Sequence, residues 1–141
     1  ILSDGSMISV SRTSDGFGYS PWYMSRSVDM GKTWSRPVPF TRAGVLPRVL
    51  QLENGVVVLS AGRPGVQLRF STDGKGEKWT DPFEMLPYDV ENKRDAVSCG
   101  YTDLVATGPN SFLIMYSEFK FINDKGEIRK AIKVREVVVD K

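Results

Sequence analysis

The chain contains no histidine. A Ser-His-Asp triad, a Cys-His pair and any His-ligated metal site are therefore excluded for these residues acting alone. Its one cysteine, Cys99, has no partner for an internal disulfide. With nothing His-like to activate it, Cys99 reads as a small buried hydrophobe and not as a nucleophile. No apolar run is long enough to span a bilayer, and no amphipathic helix pattern is present. A formal net charge of +2 provides no basic field of the kind that holds nucleic acid, so the scattered Lys and Arg read as a solvated surface. Neither nucleic acid nor a membrane is expected as a partner, and nothing in the residues calls for a cofactor or a metal. The opening residues carry no signal-peptide pattern, and the sequence begins at Ile1. The expectation is a piece of a longer polypeptide whose targeting is not visible.

What the chain does have is punctuation. Thirteen Gly and eight Pro separate short apolar runs in a composition that is 40% hydrophobic, which suits an all-β protein. The runs predict strands at Met7–Arg12, Trp22–Ser27, Val38–Thr41, Arg48–Leu52, Val56–Ala61, Val66–Ser71, Phe83–Leu86, Tyr101–Ala106, Phe112–Ser117 and Ala131–Val139. Each is strand-length and bounded by Gly, Asn, Asp or Pro, so no helix longer than about two turns is expected.

The strands belong to a repeat. Ser27-Val28-Asp29-Met30-Gly31-Lys32-Thr33-Trp34 returns 44 residues later, one residue longer, as Ser71-Thr72-Asp73-Gly74-Lys75-Gly76-Glu77-Lys78-Trp79. The Asp carboxylate can accept N–H bonds across a tight turn, Gly supplies a positive φ, and Trp covers the turn with an apolar lid. This pattern, the Asp box, marks architecture and not catalysis. Ahead of each box stands a hairpin signal, Asp4-Gly5 before Met7-Ile8-Ser9-Val10 and Asn54-Gly55 before Val56-Val57-Val58-Leu59. A third copy starts at Tyr101-Thr102-Asp103-Leu104-Val105, turns at Gly108-Pro109-Asn110 and runs on through Phe112-Leu113-Ile114-Met115-Tyr116, with no box after it. A period of this length predicts stacked four-stranded antiparallel sheets. The fragment then holds strands 2 to 4 of one sheet, 1 to 4 of a second and 1 to 3 of a third, which divides the chain into a unit around the box at 27–34, a unit around the box at 71–79 and a closing unit at about 98–141.

In such up-and-down sheets the 1–2 and 3–4 turns lie at one end, and the 2–3 and 4–1 connections lie at the other. The hairpins and both boxes fall at the first end. The opposite end collects the ends of second strands, Arg12, Arg63 and Glu118, and the starts of first strands, Arg48 and Tyr101. The connection from Thr13 to Pro21, with Phe17, Tyr19 and then Trp22 and Tyr23, stands at this end too. Its aromatics either wall a pocket or fill the core. For Arg12 and Arg63 the bland alternative is pairing with surface carboxylates, and for Tyr101 it is a hydroxyl standing in solvent. Arg48 and Glu118 are weaker candidates for ligand contact, and for Glu118 the simplest role is an ion pair with a neighbouring Arg.

The chain resembles the C-terminal portion of the sialidase superfamily, whose members are six-bladed Asp-box propellers. Four stretches carry the resemblance: Ser11-Arg12-Thr13, Arg63-Pro64-Gly65-Val66-Gln67-Leu68-Arg69-Phe70-Ser71-Thr72-Asp73, Ser98-Cys99-Gly100-Tyr101-Thr102-Asp103-Leu104, and the closing run Ile132-Lys133-Val134-Arg135-Glu136-Val137-Val138-Val139. The resemblance implies a β-propeller fragment of about two and a half blades, with Arg12 and Arg63 gripping a substrate carboxylate and Tyr101 as nucleophile. Arg suits the first task because its planar fork binds a carboxylate bidentately. A neutral Tyr suits the second because a carboxylate nucleophile would be repelled by the charge beside the anomeric carbon of a sialic acid. The family's first carboxylate-binding Arg, its acid/base Asp and the Glu that activates the Tyr have no counterpart in this chain, so the fragment alone is expected to be inactive. The Gly62-Arg63-Pro64-Gly65 turn is tighter than the family's usual loop. The implied activity is an exo-acting, retaining release of terminal sialic acid or a related acidic sugar. The implied partners are an acidic glycan and the preceding blades of the same protein, and glycan substrates suggest a secreted or periplasmic location. Two alternatives stand beside it: a non-catalytic propeller that binds acidic glycans, and a hydrolase of another acidic glycan such as a uronic-acid polymer.

Overall fold

In a computed structural model of the chain, residues 1–14, 21–88 and 97–140 are described. They form ten strands and, among the described residues, no helix: β1 Met7–Arg12, β2 Trp22–Ser27, β3 Val38–Thr41, β4 Val45–Gln51, β5 Val57–Gly62, β6 Val66–Ser71, β7 Phe83–Leu86, β8 Thr102–Gly108, β9 Ser111–Ile122 and β10 Ile128–Val138. All pairings are antiparallel and follow chain order, giving a three-stranded sheet β1-β2-β3, a four-stranded sheet β4-β5-β6-β7 and a three-stranded sheet β8-β9-β10. None is closed on itself.

The middle sheet is covered on both faces, and β5 records this in its sequence. An unbroken Val57-Val58-Leu59-Ser60-Ala61-Gly62 run is buried at every position, as a strand with two apolar faces requires. Period-2 alternation sends its neighbours to different cores. Val58 joins Leu52, Val56, Val66, Leu68, Phe112, Ile114 and Tyr116 in the core between the second and third sheets. Leu59 and Ala61 join Trp22 in the core between the first and second, with Val10, Phe40 and Trp79 packed around it.

Two hairpins repeat each other bond for bond. Leu2 N–H donates to Ser6 O and Gly5 N–H to Leu2 O; fifty residues on, Leu52 N–H donates to Val56 O and Gly55 N–H to Leu52 O. The Asp4 and Asn54 side chains each accept the N–H two residues ahead, at 2.9 and 3.0 Å. The Ser-x-Asp turns repeat likewise. Ser27 Oγ donates to Asp29 Oδ1 at 2.8 Å and Ser71 Oγ to Asp73 Oδ1 at 2.6 Å. Each Trp indole N–H closes onto the turn, Trp34 on Gly31 O and Trp79 on Gly76 O. Beyond their own turns the two rings pack differently. Trp34 stays 43% exposed, whereas Trp79 reaches the neighbouring sheet and meets the edge of Phe40 with ring centroids 5.6 Å apart.

Side chains tie this turn end together across the sheets. Gln51 accepts from Ser3 N–H at 2.6 Å and donates to Gly74 O at 3.0 Å. Arg26 donates to the carbonyls of Lys75 and Gly76, and Asn54 N–H and its side-chain amide reach Pro109 O and Val139 O.

Strand boundaries depart from the sequence reading in the third sheet and in β4. β9 and β10 run to Ile122 and from Ile128, joined by a turn in which Asn123 Oδ1 accepts the N–H groups of Lys125 and Glu127. Thr102 pairs with Tyr116, so this hairpin continues well beyond the start of β8. β4 begins at Val45 and absorbs Leu46 and Pro47 in an irregularity between Val45 and Arg48, with Leu46 at φ 44°.

Candidate functional site

At the end opposite the turns, two glycines let two loops touch. An added Cβ on Gly62, the last residue of β5, would lie 1.9 Å from Gly100 O and 2.3 Å from Gly100 Cα. Only glycine permits that approach. It places Arg63 beside the segment leading into β8: Arg63 Nε donates to Cys99 O at 3.0 Å, and its guanidinium carbon stands 5.8 Å from the centre of the Tyr101 ring, within cation–π range. Arg63 holds φ at 51°, a left-handed conformation that a bulky side chain adopts at a cost of about 1–3 kcal/mol and that clusters at binding sites.

The Tyr101 segment is itself pinned. Cys99 N–H donates to Ser117 Oγ at 3.0 Å, Gly100 N–H to Ser98 Oγ at 2.9 Å, and Ser98 and Ser117 hydroxyls meet at 3.1 Å. Tyr101 is 48% exposed and borders a shallow cavity of about 270 Å³ with Cys99, Asp103, Met115, Ser117 and Ile132. Cys99 is half-buried, and its Sγ accepts from Ser117 Oγ at 3.0 Å.

The structure brings Arg63 and Tyr101 together, and it places the other candidates as follows. Arg12 is exposed at the end of β1, in register with Trp22, and belongs to the first sheet. Arg48 lies within β4, where its Nε is 3.4 Å from Asp103 Oδ1. Glu118 lies inside β9 and not at a strand end, and its partner is Lys133 of β10 at 3.8 Å in place of the expected Arg. Trp22 is fully buried and belongs to the core, which removes it from any pocket wall, while Tyr23 is half-buried. Phe17 and Tyr19 lie outside the described residues. Asp103 is the site neighbour that sequence reasoning passed over; it follows Tyr101 by two residues and so shares its face, a period-2 signal that was there to be read.

The two turn carboxylates are far from proton-transfer duty. Thr33, through its hydroxyl and its N–H, and the Ser27 hydroxyl lower the Asp29 pKa from 3.8 to about 2. For Asp73, burial pushes upward, but the Ser71 hydroxyl and the N–H groups of Lys78, Lys75 and Gly76 outweigh it and hold the carboxyl well below the usual range. No group of metal-ligating side chains occurs among the described residues.

Comparison with protein-family models and with curated proteins gives no match. One solved structure shares the fold. It is the crystal structure of a protein of unknown function from Dyadobacter fermentans DSM 18053, with a TM-score of 0.63 and 22% sequence identity over 98% of this chain. The chain spans 36% of that protein's length. At this identity the likeness concerns the fold alone.

Proposed function

We propose that the three sheets are consecutive blades of a sialidase-type Asp-box propeller, and that the complete protein is an exo-acting retaining glycosidase releasing terminal sialic acid or a related acidic sugar. Three antiparallel sheets in chain order, with 3, 4 and 3 strands, suit a fragment that starts and stops inside a blade. The observation that carries the functional reading is the Arg63–Tyr101 contact, a carboxylate-gripping cation against a solvent-accessible phenol at the end where the interstrand connections gather.

In this reading Arg63, joined by Arg12, fixes the carboxylate of the sugar. Tyr101 Oη attacks the anomeric carbon while the glycosidic oxygen leaves with a proton from a general acid. Water then cleaves the glycosyl–tyrosine bond and configuration is retained. The acid, and the base that takes the tyrosine proton, come from segments outside this chain. A second reading draws on one observation: two carboxylates of the third sheet, Asp103 in the Tyr101 cavity and Glu118 in β9, are already engaged, with Arg48 and Lys133. A propeller that binds an acidic glycan without cleaving it needs no base beside Tyr101.

The test is turnover of an aryl sialoside by the complete protein. Tyr101→Phe is expected to remove turnover and leave sugar binding nearly intact, whereas Arg63→Ala weakens binding by roughly 1.5–3 kcal/mol, the range for charged hydrogen bonds. Equal hydrolysis by the parent and Tyr101→Phe rules out the nucleophile. Binding without hydrolysis in the parent transfers the assignment to the second reading.

A further inference from the structure

A second cleft lies between the first and second sheets, separate from the Tyr101 surface. Its volume is about 510 Å³, within the usual range of about 300–1,000 Å³ for small-molecule sites. Thr41 and Arg42 line it from the end of β3, and Pro64, Gln67, Arg69 and Tyr88 line it from the middle sheet. Alternation along β6 explains the lining. Val66 and Leu68 are fully buried toward the third sheet, so Gln67 and Arg69 turn toward the first.

Arg69 is held there with donors to spare. Its guanidinium carbon sits 5.7 Å from the centre of the Phe40 ring, and Nη1 donates to Thr80 O at 3.3 Å. Nε is buried and has no partner among the described residues. Partial burial lowers the Arg69 pKa from its ordinary value, and the Asp81 carboxylate, close enough to act through its charge, works against that effect. A guanidinium carries five N–H donors in a planar fork and no acceptor; buried Nε faces protein, and the Nη donors left toward the cleft suit a carboxylate. Arg42 adds a second, exposed cation at the cleft edge. Asp81 and Glu84, the latter opposite Gln67 on the same face, balance the two arginines over the cleft as a whole, so preference for an anion rests on the Arg69 fork and not on net charge. The amide of Gln67 and the hydroxyls of Thr41 and Tyr88 can bond hydroxyl groups, while the rings of Pro64 and Pro82 offer apolar walls.

We propose that this cleft binds a small hydroxylated carboxylate of the sugar-acid class, anchored by Arg69 and supported by Arg42. The assignment does not depend on the role of Tyr101. Glucuronic acid is the probe, titrated calorimetrically into the complete protein at low salt. Saturable 1:1 binding is expected, at least about tenfold weaker in Arg69→Gln because the planar fork is lost. Arg42→Glu, an exposed change that leaves the core untouched, is expected to weaken it comparably and keeps the test decisive if Arg69→Gln does not fold. Arg63→Ala is expected to leave this binding in place. The proposal is overturned if glucuronic acid shows no saturable binding, if glucose binds as tightly, if inorganic phosphate competes equally well, or if Arg63→Ala alone abolishes the signal.

Discussion

Replacing Gly62 by alanine adds one methyl group where the Gly100 backbone already stands. The new carbon would approach Gly100 O to 1.9 Å, Gly100 Cα to 2.3 Å and Gly100 C to 2.4 Å, and none of these atoms belongs to a side chain that can swing away. The segment must shift by more than about 1 Å, and overpacking of this kind costs typically about 1–3 kcal/mol. The shift also pulls on the bonds Arg63 Nε to Cys99 O and Gly100 N–H to Ser98 Oγ, worth about 0.5–1.5 kcal/mol each if lost. Opposing this, alanine restricts the unfolded chain and returns about 0.4–1 kcal/mol. The balance is a destabilisation of about 2–3 kcal/mol. At about 2–4 °C per kcal/mol for chains near this size, the melting temperature falls by about 5–10 °C. Circular-dichroism melts and urea titrations of parent and variant measure it, with an unchanged m-value showing that the denatured state is not the source. Strand propensity alone predicts the opposite sign, since a mid-sheet glycine is usually improved by alanine. A Gly62→Ala variant as stable as the parent, or more so, would refute the backbone contact on which the Arg63–Tyr101 geometry rests.

Asp73→Ala removes the acceptor for the Ser71 hydroxyl and for the N–H groups of Lys75, Gly76, Glu77 and Lys78, and after discounting for solvent exposure the expected loss is about 1–2 kcal/mol in urea unfolding. A variant that melts like the parent contradicts the structural role of that turn. Both turn carboxylates have folded pKa values below the ordinary 3.8, so their contribution is fully present above that pH and is lost as pH falls toward about 2. Urea midpoints measured from pH 6 to pH 2 should be flat at first and fall below about pH 4, more shallowly in Asp73→Asn. The outer face of the third sheet exposes Val105, Met115, Ile132, Val134 and Val138 side by side, so the chain should associate with rising concentration in sedimentation velocity, and an Ile132→Lys, Val134→Lys double variant should not. A parent that stays monomeric at high concentration removes that expectation.

The strands were legible because nearly every apolar run ends at a turn residue whose chemistry is local. Asp4-Gly5 and Asn54-Gly55 fix their hairpins with bonds spanning four residues, and Ser27-Asp29 and Ser71-Asp73 fix their turns in the same way. The extension of β9 and β10 escaped notice because charged residues interrupt the apolar alternation there. Lys130 and Lys133 lie instead over the rings of Phe119 and Phe121, at 5.0 and 4.0 Å, and so cover the apolar positions across the hairpin. Pro47 concealed the start of β4, since a proline at a strand's first half usually ends the run. At the site, spacing brought Arg63 and Tyr101 to the same end of the sheets, but their contact depends on two glycines 38 positions apart meeting backbone to backbone. The Arg48–Asp103 and Lys133–Glu118 pairs join different strands and had no local signal at all.

Because β5 contributes alternate side chains to two cores, neither core can open without exposing the other's share of that strand. Val58 and Leu59 are adjacent in sequence and completely buried on opposite sides. The central sheet is therefore a common cooperative unit, and its amide protons at Val57–Gly62 should exchange with deuterium only through global opening. The edge strands β1 and β10, each hydrogen-bonded on one side, should exchange through smaller local excursions. The Gly62–Gly100 contact, and the Arg63–Tyr101 pair that depends on it, is therefore carried at the end of the most protected strand of the molecule.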